Sequence, residues 1–74
     1  MVRNSSKLLV RFGERVRELR QASGLSQEAF ADHCGLDRTY ISGIERGKRN
    51  VSLENLKVLA KALNVTLSRL LEGL

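Results

Sequence analysis

Residues 24–50, GLSQEAFADHCGLDRTYISGIERGKRN, contain two helix-sized segments separated by a short turn with a glycine. Ser26 is a good N-cap for a helix over residues 27–34, and Asp37 is a good N-cap for a helix over residues 38–46. Only three residues join the two segments. Because so short a connection cannot lay two helices antiparallel, we expect them to meet at a steep angle.

The rest of the chain also has helical periodicity. A first helix is predicted to run to about residue 23 with an apolar stripe made of Leu9, Phe12, Val16 and Leu19. A fourth helix, 53–63, has its apolar side at Leu53, Leu56, Leu59, Ala60 and Leu63, and a short fifth helix follows the N-cap Thr66. We therefore predict an all-α domain of five helices over residues 8–74, preceded by a flexible segment over residues 1–7.

Composition limits what else the chain can be. Its 74 residues suffice for one core, and with 42% hydrophobic but only 4% aromatic residues that core must be largely aliphatic. The lone Cys34 excludes an internal disulfide, and with the lone His33 it offers too few ligands for zinc, so we predict no metal site. We expect His33 to lie on the surface of the second helix and the Cys34 thiol to lie in the core. No apolar stretch is long enough to cross a bilayer, which favours a cytoplasmic protein.

The charge balance favours a polyanion as partner. Thirteen Lys and Arg against eight Asp and Glu give a net charge of +5. One tyrosine and two phenylalanines give no stacking platform for RNA, and no nucleophile and base set for an enzyme is present, so we expect neither catalysis nor a cofactor.

The helix over residues 38–46 has the pattern of a helix that reads DNA. The major groove of B-DNA is about 12 Å wide and admits one helix, which must project from the fold and be held from behind by apolar residues. Ile41 and Ile44 are predicted to face inward. The outward positions that would contact bases are Arg38, Thr39, Ser42 and Gly43. A glycine within a helix also suggests close approach of another group, either DNA or the first helix.

Residues that follow this helix are suited to phosphate binding. Arg46, Lys48 and Arg49 fall within four positions, and cations at this place supply affinity without sequence information. Asn50 and Ser52 then begin the fourth helix, whose N-terminal N–H groups can hold another phosphate.

Residues 24–65, GLSQEAFADHCGLDRTYISGIERGKRNVSLENLKVLAKALNV, resemble the lambda repressor and Cro-like helix-turn-helix regulators, often called the XRE family. Within that family, the stretch is most similar to the small controller proteins of restriction-modification systems, in which a segment of the type LDRTYISGIERG is the recognition helix.

The resemblance implies roles for individual residues. Gln27 would bind a backbone phosphate or pack on the recognition helix, while Arg38 and Thr39 would reach base edges. Arg49 would also reach a base. Tyr40 would give its hydroxyl to a phosphate or pack its ring on the second helix with the hydroxyl in water, and both can hold at once.

Glu45 is the one acidic residue on this face. By the same resemblance it would not touch DNA but would pair with Arg20 at the end of the first helix. Such a pair contributes about 0–1 kcal/mol if exposed, whereas breaking a buried one costs about 3–5 kcal/mol. We expect a mainly structural role.

The fifth helix is predicted to make a homodimer. One module buries only about 600–1,000 Å² on DNA, so two copies on a pseudo-palindrome would discriminate better. We expect Leu70 to face inward and the interface to include Val65, Leu67, Leu71 and Leu74.

The function predicted is a sequence-specific transcriptional regulator that binds the major groove of double-stranded DNA. RNA polymerase is a further possible partner, and no small-molecule ligand or membrane is expected. The alternative is a protein-interaction module of the antitoxin or coactivator type.

Overall fold

The computed structural model describes residues 6–74, and all regular structure in this range is α-helical. The five helices are α1 (Ser6–Ala22), α2 (Gln27–Cys34), α3 (Arg38–Glu45), α4 (Leu53–Ala62) and α5 (Leu67–Leu70). The predicted five-helix, all-α fold is confirmed, and the predicted C-terminal ends of the first four helices are right to within one residue. None of the helices between residues 6 and 74 has the length and apolarity needed to cross a membrane.

The start of α1 differs from the prediction. A flexible segment was expected over residues 1–7, of which residues 1–5 lie outside the described range. Ser6 and Lys7 belong to the first turn of α1, so the domain begins two residues earlier than predicted.

Each of the last four helices begins at a side-chain cap, as the sequence predicted. The oxygens of Ser26, Asp37, Ser52 and Thr66 accept hydrogen bonds from the backbone N–H groups of Ala29, Thr39, Asn55 and Arg69, at 3.0, 2.9, 3.1 and 3.1 Å. These bonds satisfy N–H groups that have no partner within their own helix. The helix boundaries are therefore set locally.

The core lies between all five helices, each of which contributes at least one buried side chain. Its fully or almost fully buried side chains are Phe12, Val16, Phe30, Ala31, Ile41, Ile44, Leu59, Ala60, Leu63 and Leu70. Leu70 faces inward as predicted. Cys34 is only half-buried, and this burial raises the pKa of its thiol to about 11.

One predicted core position is wrong. Leu53 was assigned to the apolar side of α4, but its side chain is 71% exposed. It is the first residue of α4 and lies at the margin of the apolar stripe, where it lines a shallow surface groove with Lys57, Val65 and Leu67 instead of entering the core.

Two glycines bring α1 against the end of α3. A Cβ atom on Gly13 would collide with the carbonyl oxygen of Ile44 and would lie 2.6 Å from that of Glu45. A Cβ atom on Gly47, which has φ of +76°, would lie 2.7 Å from a methyl carbon of Val10. The backbones of α1 and α3 therefore approach each other more closely than any side chain would allow.

The C-terminal end of α5 is fastened to α1 by two arginines. Arg11 Nη2 donates to the carbonyl oxygen of Gly73 at 2.6 Å, and Arg15 Nη2 donates to that of Arg69 at 2.7 Å. The Gly73 carbonyl lies beyond the end of α5, and the Arg69 carbonyl at that end also accepts from the Glu72 N–H group at 3.2 Å. The short α5 is thus held at its end as well as by the buried Leu70.

We expect Gly13→Ala to lower the free energy of unfolding by about 2 kcal/mol, since the new methyl group would collide with backbone atoms that cannot move aside. Thermal unfolding would then show a melting temperature about 8–16 °C lower than that of the wild type. Gly43→Ala, within α3, is the matched control.

At Gly43 the nearest obstacle is the flexible side chain of Arg49, so alanine is expected to leave stability unchanged or raise it by up to about 1 kcal/mol through helix propensity. Equal melting temperatures for the two variants at one protein concentration would contradict the role assigned to Gly13.

Candidate nucleic-acid interface

Helices α2 and α3 are joined by three residues, 35–37, as predicted. Gly35 has the left-handed conformation, with φ of +69°, and its N–H group closes the end of α2. Helix α3 packs on α1 and α2 through Ile41 and Ile44, both buried. One side of α3 therefore belongs to the core, and the N-terminal turn of the helix projects into solvent.

Arg38 and Thr39 occupy that exposed first turn. The Thr39 hydroxyl donates to the Asp37 carboxylate at 2.8 Å, in addition to the capping bond from the Thr39 backbone. These two bonds, together with the charge of Arg38, lower the pKa of the Asp37 carboxyl group. The cap is therefore at full strength above the usual pKa of an aspartate and weakens only in more acidic solution, where the carboxylate becomes protonated.

Two predicted outward positions of α3 are not alike. Ser42 is half-buried, whereas Gly43 is buried. Gly43 is buried because the side chain of Arg49 lies over it, with Cγ 2.8 Å from the place where a Cβ atom would be. Its predicted base contact stays a prediction. The expected close approach to Gly43 is thus made by Arg49, while α1 makes its own close approach through Gly13 and Gly47.

Arg49 also lies over the ring of Tyr40, with its guanidinium carbon 5.4 Å from the ring centroid. This distance is within the range of a cation–π interaction. The Arg49 side chain is therefore held along the surface of α3 although it is exposed to solvent.

The Tyr40 hydroxyl accepts a hydrogen bond from Asn55 Nδ2 of α4 at 3.2 Å. Asn55 takes only one acceptor position of this hydroxyl, so its predicted contact with water or with a phosphate stays a prediction. The hydroxyl hydrogen of Tyr40 is not used in this bond, so a phosphate oxygen could still accept it.

The ion pair between Arg20 and Glu45 is present and buried. Arg20 Nε donates to Glu45 Oε2 at 2.6 Å and Nη2 donates to Oε1 at 3.0 Å, while Nη1 donates to the carbonyl oxygen of Leu25 at 2.8 Å. The hydrogen bonds to Glu45 raise the pKa of the Arg20 guanidinium despite the desolvation that opposes this. The pair connects α1 to both the α1–α2 turn and α3.

Gln27 joins the same cluster. Its Nε2 donates to Glu45 Oε1 at 3.0 Å, so the side chain packs on α3 as one of its two predicted roles required. Arg17 lies at the edge of the cluster, with Nε 3.7 Å from the same oxygen. The partners of the Glu45 carboxylate among the described residues thus lie on α1 and at the start of α2.

Cations flank the end of α3. The exposed residues in this part of the chain include Arg46, Lys48, Arg49, Asn50 and Ser52. The Ser52 oxygen already accepts the capping bond of α4, which leaves the hydroxyl hydrogen free to donate. A projecting helix end with two exposed polar side chains, bordered by a basic loop and a helix N-terminus, suits the surface of a DNA duplex.

A family model described as helix-turn-helix matches residues 16–70. This match spans most of the chain and includes α2, the turn and α3. The chain belongs to the helix-turn-helix family.

Similar proteins agree with this assignment. The control protein C.BamHI of Bacillus amyloliquefaciens is 51% identical over 70 residues, which are 93% of this chain and 84% of that protein. The crystal structure of the restriction-modification controller protein C.AhdI from Aeromonas hydrophila superposes with a TM-score of 0.85 at 56% identity, over 86% of this chain and 97% of that one. The biofilm regulator SinR, solved in complex with DNA, gives a TM-score of 0.78 at 31% identity over 82% and 98%.

In this helix-turn-helix protein, the residues predicted for the dimer interface lie on two grooves and do not form one stripe. Val65 and Leu67 line the groove that contains Leu53. Leu71 and Leu74 line a second groove, which they share with Leu8 and other residues of α1 and α4. Leu74 is 40% exposed, whereas the other three predicted residues are half-buried.

His33 is exposed, as predicted, and lies beside the half-buried Cys34. Within residues 6–74 no three side chains of His, Cys, Asp or Glu are placed together as metal ligands.

Two residues with structural roles, Gly13 and Asn55, were not predicted from the sequence. An interior glycine in an amphipathic helix signals close packing, so Gly13 could have been found from its position between Phe12 and Glu14. No comparable signal marked Asn55, because its bond to Tyr40 depends on how α4 crosses α3.

Replacing Glu45 by glutamine tests the buried cluster of this helix-turn-helix protein. We expect Glu45→Gln to reduce the free energy of unfolding by about 3 kcal/mol, because the Arg20 guanidinium would remain buried without its anion. The corresponding fall in melting temperature is about 12–24 °C.

Glu14→Gln provides a control at an exposed position of α1 and should change stability by less than about 0.5 kcal/mol. If both variants melted like the wild type, the cluster would not have the structural role described.

Proposed function

We propose that this protein is a sequence-specific DNA-binding transcriptional regulator, and that it serves as the controller protein of a restriction-modification system. The observation that carries the proposal is the position of Arg38 and Thr39. Both are exposed in the first turn of a helix that the buried Glu45 cluster and two isoleucines hold from behind. Arginine can donate two parallel hydrogen bonds to guanine, and the threonine methyl group can pack on a thymine methyl group.

Affinity would come mainly from the positive residues beside this helix. Arg46 and Lys48 are exposed near the end of α3, and Asn50 and Ser52 precede the free N–H groups of α4. Each phosphate that such groups neutralise releases condensed counterions, so binding should weaken steeply with salt. The Tyr40 hydroxyl and Gln27 are further candidates for phosphate contact at the rim of the surface.

We propose that two copies bind one operator. The groove that contains Leu53, Val65 and Leu67 combines two predicted interface residues with an apolar side chain that is 71% exposed. Two identical grooves related by a twofold axis would bury these residues and would give the operator a matching pseudo-palindrome. The second groove, with Leu71 and Leu74, is the competing surface.

Selection of bound duplexes from a random pool, at about 0.15 M salt, tests the reading residue. We expect the wild type to select a pseudo-palindromic consensus, and we expect Arg38→Ala to relax its guanine positions. Each lost bidentate contact should reduce discrimination by about 1–3 kcal/mol. Arg69→Ala, which removes an exposed arginine of α5, is the charge-matched control.

A consensus that is identical for the wild type and Arg38→Ala would contradict the role of Arg38. No consensus at all, together with a stable complex with another protein on affinity purification, would contradict the regulator proposal and favour the protein-interaction module.

The dimer proposal is tested by sedimentation equilibrium of Leu67→Glu and Leu74→Glu at one protein concentration. We expect Leu67→Glu to shift the protein to the monomer, because it places a charge in the groove of Leu53, while Leu74→Glu should associate like the wild type. The reverse result would place the interface at the second groove, and a monomeric wild type would contradict the dimer.

A further inference from the structure

At Gly43 of α3, the space that a side chain would fill is occupied by a residue from outside the helix. Its Cβ atom, if present, would lie 2.8 Å from Arg49 Cγ, 3.4 Å from Nε and 3.6 Å from Cδ. The aliphatic part of the Arg49 side chain therefore lies directly on the backbone of α3. An alanine would displace this side chain by occupying the same space.

The guanidinium of Arg49 is held by a second feature. It lies over the ring of Tyr40, which is three positions before Gly43 on the same helix. The ring is itself fixed at its far end, because Asn55 of α4 donates to the hydroxyl. Gly43 and Tyr40 thus form a surface on α3, called the shelf below. The aliphatic part of the Arg49 side chain lies on Gly43, and its guanidinium lies over the Tyr40 ring.

Helix packing does not explain the glycine at this position. The close approach of α1 to α3 is made at Gly13 and Gly47, where the atoms that a Cβ would meet belong to Ile44, Glu45 and Val10. At Gly43 the three nearest atoms all belong to Arg49. Glycine in a helix is less favourable than alanine. The glycine at position 43 therefore makes α3 less stable, but it leaves the space in which the Arg49 side chain lies.

We infer that Gly43 is a positioning residue that sets the direction in which Arg49 meets the DNA. The inference rests on the proposed function and makes it more specific. Arg49 follows α3 and points back across its surface, so a guanidinium on the shelf is presented to the same groove as Arg38. Gly43 then contributes to sequence preference through Arg49 and not through a contact of its own.

The position of Arg49 can be measured on the free protein, without DNA. Tyr40 is the single tyrosine of the chain, so only one tyrosine ring current can act on the Arg49 side-chain protons in NMR spectra. We expect these protons to be shifted upfield in the wild type and to return towards ordinary arginine values in Gly43→Ala and in Tyr40→Leu. Arg49 proton shifts that are unchanged in Gly43→Ala would overturn the inference.

Binding to the selected operator tests the consequence in a double-mutant cycle. In the protein that retains Arg49, we expect Gly43→Ala to weaken binding by about 3- to 10-fold. This loss is a part of the binding free energy that a base-contacting arginine contributes. In the Arg49→Ala background the same substitution should change binding by less than about 2-fold, since the side chain that it displaces is absent. A purely structural role of Gly43 would not produce this difference.

The outcomes separate the two proposals. Equal losses in both backgrounds would mean that the methyl group collides with DNA directly, which overturns the positioning role but leaves the regulator proposal intact. A selected consensus that changes at the same base positions in Gly43→Ala and Arg49→Ala would support the inference. If the wild type selected no consensus, the regulator proposal would fail and the inference with it, even where the NMR shifts show Arg49 on the shelf.

Discussion

The carboxylate of Glu45 is the group on which the arrangement of the first three helices depends. A buried charge without partners would be very unfavourable, so the fold must bring donors to it from outside α3. Arg20 provides two hydrogen bonds and Gln27 provides a third. The remaining Arg20 donor then binds the carbonyl oxygen of Leu25 in the α1–α2 turn. Because each bond has a narrow range of distance and direction, this one cluster fixes where α3 lies relative to α1 and the start of α2.

A second constraint is steric. The carbonyl groups of Ile44 and Glu45 fill the space left by the absent side chain of Gly13, and Val10 fills that beside Gly47. These contacts set the separation of α1 and α3, while the Glu45 cluster sets their register. The isoleucines of α3 then complete the core from the same side. Few side chains on the other side of α3 contribute to the packing of the core.

Much of the fold could be predicted from the sequence because its signals are local. Caps such as Ser26 and Asp37 act within three residues, and apolar periodicity depends only on the geometry of one helix. The failures concern tertiary placement. Leu53 has the right spacing but lies at a stripe margin, Gly43 is covered by a residue six positions away, and the leucines of α5 and of the turn after it divide between two grooves. In each case the deciding neighbour lies on another element or past the end of the helix, so spacing within one helix cannot identify it.

The division of α3 into a held side and an open side has an evolutionary consequence. Within the described residues the Arg38 side chain has no hydrogen bond or ion pair, and its exposure means that another side chain at this position would disturb no packing. Most substitutions on such a surface change stability by less than about 0.5 kcal/mol. Under the proposed role of Arg38, variants that read different bases could therefore arise and be tested by selection one at a time, without first passing through poorly folded intermediates. A fold of this kind allows a new target sequence to be acquired without compensating changes in the core.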